Sequence, residues 1–418
     1  MEKIDIGRDR AERLVIGNGS PVGLLGSARE YKRVCTRSSL ICGLGLMVAA
    51  DPEGPEIHKR SLQTLRCFQS RLGNIPNGVG FRGQGEEPRA VIDTARAGSI
   101  DNSLWFIIGN YYTWQMDGDT GRLAEFWPSL QRAYTWLDYQ DSNECGLLEV
   151  HEAMDWANLL ANCYNSLGPN VLWYAVQKCM SAMAGALGKD NSFYEVRAND
   201  VAYKINTLLW VGPEFRRDLE WVELNRREWL YPIRATEVLF EEKPYFLPYM
   251  AFRGWEDRFD AFGNLAAVLF GMASEAQAER IFDYINRAGV DQPWPIKAID
   301  PVVHPGEKDW REYYRLRNLN LPHHYQNGGA WPFLGGLYVA ALVRAGRLGE
   351  AAHQLDRLAE MNRQSRHGGE WEFNDWFHGV SGRPSGFPGQ NWSAAMYIFA
   401  HECVRRGEVP AFSRANGW

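Results

Sequence analysis

Residues 123–137 read Leu-Ala-Glu-Phe-Trp-Pro-Ser-Leu-Gln-Arg-Ala-Tyr-Thr-Trp-Leu, and their spacing decides the fold class. Leu123, Phe126, Trp127, Leu130, Tyr134 and Leu137 recur at intervals of three and four, the stripe of a helix with one apolar face. Ser274-Glu275-Ala276-Gln277 opens a second such helix with a capping box, and Ala278, Ile281, Phe282 and Ile285 continue its stripe. Similar segments fall near 38–50, 56–72, 102–117, 154–164, 169–187, 196–210, 260–273, 328–345, 349–363 and 390–406. Together they predict about twelve helices.

Turn chemistry separates them: Gly73-Asn74-Ile75-Pro76-Asn77-Gly78, Asp117-Gly118-Asp119-Thr120-Gly121, Asn327-Gly328-Gly329 and residues 381–390. Strand signals are short, with hairpins expected near 78–82 and 145–151. No linker divides the chain, so residues 1–418 are read as a single all-α domain preceded by an arm over 1–25. Amphipathic helices in one undivided chain pack as pairs in a double ring, inner and outer. The loops at one end of such a ring converge on a central pocket.

The bulk numbers exclude several function classes. The chain has 418 residues, is 45% hydrophobic and carries a net charge of −6, with no basic block to meet a nucleic acid. Residues 1–14 are charged and lack the apolar run of a secretion signal, and the apolar segment 39–50 is too short to span a bilayer. The seven cysteines (35, 42, 67, 145, 163, 179 and 403) form no C-x-x-C pair, which fits free thiols in a reducing compartment. A cytoplasmic protein with no membrane partner is expected, and a homo-oligomer is compatible with the composition. His304, His323 and His324 lack zinc spacing, no phosphate-binding glycine fingerprint or serine-hydrolase elbow is present, and neither metal nor cofactor is expected.

Two acids stand among aromatic residues. Asp155 lies in His151-Glu152-Ala153-Met154-Asp155-Trp156-Ala157-Asn158, and Asp375 in Asn374-Asp375-Trp376-Phe377-His378-Gly379. Such a pair suits glycosidic cleavage, in which one acid protonates the leaving oxygen and the other activates water. Asp155 is read as the general acid, with a helix N-cap as the plain alternative. Asp375 is read as the base, with Glu372 or Glu370 as substitutes and an ordinary Asx-turn as the plain alternative. The aromatic load of 17 Trp, 18 Tyr and 19 Phe is either core packing or stacking surface for sugar rings.

Four blocks resemble glycoside hydrolase family 100, the neutral/alkaline invertases. Ser99-Ile100-Asp101-Asn102-Ser103-Leu104-Trp105-Phe106 is similar to its P-V-D-S-G-L-W-W, and Arg258-Phe259-Asp260-Ala261-Phe262-Gly263-Asn264-Leu265 to its R-F-F-x-L-G-N. His324-Tyr325-Gln326-Asn327-Gly328-Gly329-Ala330-Trp331-Pro332 is similar to Y-H-N-G-G-S-W-P. Asp375 to Gly379 with Gly382-Arg383, then Gln390-Asn391-Trp392-Ser393, is similar to E-Y-Y-D-G-x-x-G-R and Q-x-W-S. The family has Glu where Asp375 stands, and Arg37-Ser38 replaces an Arg-Asp pair common in the clan.

The resemblance implies an (α/α)6 barrel and an inverting glycoside hydrolase of a small glucoside such as sucrose. It implies substrate contacts from Arg37, Asp101, Asn102, Trp105, Trp156, Arg258, Asn264, Gln326, Asn327, Trp331, His378, Gln390 and Trp392. Alternatives stay open for several. Asp101 serves equally as a cap, Arg258 as a structural ion pair, Trp331 and Trp392 as core, and Asn327 with its glycines as a helix-entry turn. Other readings are hydrolysis of a trehalose-, glucosylglycerate- or short-glucan-type sugar, or sugar binding without turnover.

Overall fold

Helices α1 (Lys3–Gly17), α2 (Thr36–Leu46), α3 (Glu53–Cys67), α4 (Asp101–Asp117), α5 (Thr120–Asp138), α6 (Leu167–Ala186) and α7 (Ser192–Leu209) alternate between two layers. After α8 (Leu219–Asn225) and α9 (Leu230–Phe240), the alternation resumes with α10 (Ala261–Leu269), α11 (Glu275–Ala288), α12 (Pro332–Arg344), α13 (Leu348–Arg363) and α14 (Asn391–Arg406). This computed structural model describes residues 3–26, 33–80, 89–91, 99–240, 242–413 and 417–418.

The inner layer is a closed ring: α2, α4, α6, α10, α12 and α14 each pack on the next, and α14 returns to α2. Outside it stand α1, α3, α5, α7, α11 and α13. The fold is therefore the (α/α)6 barrel.

Composition explains the layering. Every residue of α10, and Pro332–Val343 of α12, is buried, as a helix apolar on all sides must be. The outer α11 buries only Gln277, Ala278, Ile281, Phe282 and Ile285, one face of a capped amphipathic helix. Close approach in the inner ring depends on missing side chains. A Cβ at Gly45 of α2 would collide with the Ala395 carbonyl of α14, and one at Gly336 of α12 would lie 2.5 Å from the Met396 oxygen.

Three sequence expectations change. Residues 154–164 form turns, not a helix: Asp155 Oδ1 accepts from Ala157 N at 2.8 Å, and Ala153 and Tyr164 adopt positive φ at either end. Residues 3–17, expected as an arm, form a helix that buries Ala11 and Val15 against α13 and α14. The expected hairpin at 145–151 is instead one bridge, Val150 to Tyr164. Strand Gly78–Gly80 pairs with Arg33–Cys35 and Arg89–Val91, while residues 81 and 82 lie outside the described residues. Among the described residues, no helix is long and apolar enough to cross a membrane.

Candidate active site

The loops at one end of the barrel enclose a cleft of about 210 Å³, lined by Gly26, Arg33, Cys35, Arg37, Ser38, Asn77, Asn102, Tyr325, Asp375, Gln390 and Trp392. Asp375 sits half-buried just ahead of strand Trp376–Phe377, which pairs with Pro384–Ser385. Its Oδ1 accepts the indole N–H of Trp392 at 3.0 Å. Trp392, in the first turn of α14, stacks flat on Phe333 with centroids 4.6 Å apart.

Asp155 is buried beside this wall. An aromatic cluster joins the two acids: Trp156 packs edge-on against Trp331 (5.3 Å) and Phe333 (4.9 Å), and both of these pack on Trp392. Gln326 fixes the Asp155 turn, its amide donating to the Trp156 carbonyl and its oxygen accepting from Leu159 N at 2.8 Å. Asn320 binds the Leu159 carbonyl at 2.5 Å, and Glu152 is tied to Arg311 and to the Tyr313 hydroxyl. Sequence made this segment look helical. Tertiary hydrogen bonds hold it as a run of turns instead.

Both acids have raised proton affinity. Burial pushes Asp155 up to about 7, the neighbouring Asp101 charge adds to this, and Arg37 opposes it. Burial also pushes Asp375 up to about 7, held down only by the Trp392 N–H. The reading of Asp375 as a base requires it ionised when it acts. Its apolar setting, with a single hydrogen-bond donor, makes it less acidic than an ordinary Asp. Glu370 is exposed and paired with Arg363 at 3.0 Å, while Glu372 Oε2 accepts from Arg366 N (2.7 Å) and from the Asn374 amide; neither lines the cleft.

The other expected contacts divide. Arg37, Asn102, Gln390 and Trp392 line the cleft. Among the described residues, the buried Asn102 Nδ2 and Gln390 Nε2 amides have no protein partner, an arrangement that native structures rarely leave unexplained. Asp101 is 1% exposed and is neither cap nor cleft residue. Its carboxylate takes Arg37 Nε at 2.5 Å and Arg37 Nη2 at 3.0 Å.

Several expected contacts are corrected. Trp105 packs in the core against Phe270. Trp331 is fully buried, its N–H on the Tyr325 carbonyl. Asn264 bonds both backbone groups of Phe246, and Asn327 both of Val303. Arg258 pairs with Glu256 at 3.2 Å and Glu307 at 2.6 Å, away from the cleft. His378 Nδ1 accepts from the N–H groups of Val380 and Ser381 in its own turn. Buried polar side chains must satisfy backbone left unpaired by turns, and sequence does not reveal which do so.

The sequence reading missed Cys35, Asn77 and Tyr325 in the cleft wall. Tyr325 stood inside a quoted motif and adopts a positive φ of 42°. Nothing marked Cys35, and Asn77 was read only as part of a turn; pairing of strand Arg33–Cys35 with Gly78–Gly80 brings the two together. The described residues contain no cluster with the makings of a metal site.

Comparison with known proteins bears on the family and the fold. The family model of glycoside hydrolase family 100, alkaline and neutral invertase, matches residues 228–407. Probable alkaline/neutral invertase D of Arabidopsis thaliana is 32% identical over 178 residues, 40% of this chain and 32% of that protein. Cytosolic invertase 1 of Oryza sativa subsp. japonica is 32% identical over 178 residues, 40% of this chain and 30% of that protein. The match thus spans about a third of the length of these curated relatives.

The fold matches more of the chain. The GH63 mannosylglycerate hydrolase from Thermus thermophilus, solved with Tris and D-glycerate, superposes with a TM-score of 0.66 at 14% identity, over 94% of this chain and 99% of that one. A bacterial glucoamylase solved with acarbose gives 0.63 at 15% identity, over 96% of this chain and 56% of that one. Over residues 228–407 the chain is similar in sequence to the alkaline and neutral invertases, and its (α/α)6 barrel is similar in fold to those solved structures.

Proposed function

We propose that this protein is an inverting glycoside hydrolase of a small glycoside, sucrose first, with Asp155 as general acid and Asp375 as general base. The observation that carries the reading is a pair of carboxyls, each pushed up to about 7 and linked through one aromatic cluster, with Asp375 lining a cleft whose Asn102 and Gln390 amides have no partner among the described residues. A proton donor must hold its proton near working pH, and Asp155 does so by burial and by its charged neighbour. Asp375 faces the cleft from the Trp392 side and is set to take a proton from water. Asn102 and Gln390 offer N–H groups to sugar hydroxyls, and the edge of Trp392 forms part of the wall.

The sequence likeness to invertases supports sucrose. A glycoside with an acidic aglycone is the second reading, favoured by Arg33 in the cleft wall and by the fold shared with a mannosylglycerate hydrolase. A cytoplasmic setting is supported by seven unpaired cysteines, although some relatives are named mitochondrial or chloroplastic.

A panel of sucrose, trehalose, short glucans and glycosylglycerates, followed by proton NMR, tests the whole reading. The expected result is hydrolysis of one class with the anomeric configuration of the first-formed sugar inverted. Tight binding of a sugar with no product would make the protein a binding module.

A further inference from the structure

We propose that Arg37 and Asp101 are positioning residues for Asp155, an ion pair that pins the acid's turn and sets the field around its carboxyl. The inference rests on Asp155 being the proton donor. Three chain segments meet here. The first turn of α2 brings Arg37, the entry to α4 brings Ser99 to Asp101, and the buried turn before Ala157 brings Met154 and Asp155.

The Asp101 carboxylate is fully engaged. Oδ2 accepts Arg37 Nε at 2.5 Å, and Oδ1 accepts Arg37 Nη2 at 3.0 Å and lies 2.5 Å from Ser99 Oγ. With 1% exposure, it presents no oxygen to a sugar. The same turn grips the residue before the acid: Ile100 N donates to the Met154 carbonyl at 2.8 Å, and Ser99 Oγ lies 3.2 Å from it. Displacing the ion pair therefore displaces Asp155.

Charges of both signs face Asp155. Asp101 favours its protonated form and Arg37 its ionised form, while Asp260 at the start of α10 adds a weaker negative influence and Ala157 N–H a favourable contact to the anion. Removing one partner leaves the other uncompensated, so the two deletions act in opposite directions. Asp101→Asn exposes Asp155 to bare Arg37 and makes it more acidic. Arg37→Gln exposes it to bare Asp101 and makes it less acidic. A pair that only braced the fold has no reason to give shifts of opposite sign.

The test follows the protonated-carboxyl C=O stretch of Asp155 across pH in the full chain by infrared difference spectroscopy, with Asp155→Asn to assign the band. The titration midpoint is expected to fall by about one pH unit in Asp101→Asn and to rise by about one pH unit in Arg37→Gln. The alkaline limb of kcat/KM should move with it. Unchanged midpoints, or shifts of the same sign, overturn the proposal. If Arg37→Gln fails to fold, Arg37→Lys serves: the charge stays and the fork is lost, so kcat should fall several-fold with the midpoint nearly unmoved, and a moved midpoint counts against the proposal. The infrared reading needs no turnover. Opposed shifts in a chain that cleaves no glycoside would sink the hydrolase reading alone, and turnover without opposed shifts would sink this one alone.

Discussion

Asp155 and Asp375 reach the same protonation range by different physics. Asp155 sits among charges, with Asp101 and Arg37 pulling against each other beside it. Asp375 sits among aromatic rings, with burial raising it and one indole N–H restraining it. The difference suits two roles. A donor needs a proton affinity fixed by rigid charges before the substrate arrives. A base that must orient water benefits from a less charged wall, in which incoming hydroxyls and water supply the hydrogen bonds that ionise it.

The sharpest way to break this comparison is to neutralise each acid and vary the leaving group. Asp155→Asn and Asp375→Asn should each lower kcat/KM on a natural disaccharide by about 10²–10⁴-fold. Glycosyl fluorides need no proton on their leaving group, so Asp155→Asn should recover most of its rate on them while Asp375→Asn stays inactive. Equal recovery in both variants would mean the roles are misassigned.

Stability gives the next largest effect, and here the two acids should agree. Each carboxyl rises from 3.8 in the reference state to about 7 in the fold, so the folded chain keeps protons that the unfolded chain releases between those values. Stability therefore falls as pH rises through that window. Either Asn variant should be more stable than the parent at pH 8, by up to about 4 kcal/mol, with the gain vanishing toward pH 4. Chemical denaturation at several pH values measures it. A gain independent of pH would contradict burial as the cause.

Gln326 probes how the Asp155 side is held. Gln326→Leu leaves the Trp156 carbonyl and Leu159 N–H unpaired in a buried turn, and should cost about 2–4 kcal/mol in denaturation. The fall in kcat should exceed any change in KM, because the amide touches the acid's turn rather than the cleft. The smallest effect concerns the other side. Trp392→Phe keeps a ring on Phe333 but removes the N–H from Asp375, so the acidic limb of the pH profile should rise by up to about one unit with the alkaline limb unmoved. A shift of both limbs would show that the two surroundings are not independent.

Much of the barrel was legible because the outer helices carry one apolar face and the inner ones are apolar all round, so periodicity and composition both point to layered helix pairs. The turn at 154–164 was misread for the same reason. Met154, Trp156, Ala157, Leu160 and Ala161 are all buried, but along a run of turns rather than on a helix face. Helix α1 was hidden by its charges, since Lys3, Asp5 and Arg8 mask the contact made by Ala11 and Val15. At the site, the two acids were visible as carboxyls among aromatic residues. Asn264, Asn327 and Arg258 were misplaced because a buried polar side chain that serves backbone looks, in sequence, like one that serves a ligand.

The central claim is that Asp155 and Asp375 act across one cleft on one sugar. A crystal structure with an unhydrolysed substrate analogue measures it directly. The account predicts the anomeric carbon between the two carboxyls, their separation about 6.5–9.5 Å, and a water on the Asp375 side. A separation of about 5 Å, or a sugar bound away from either carboxyl, would contradict it.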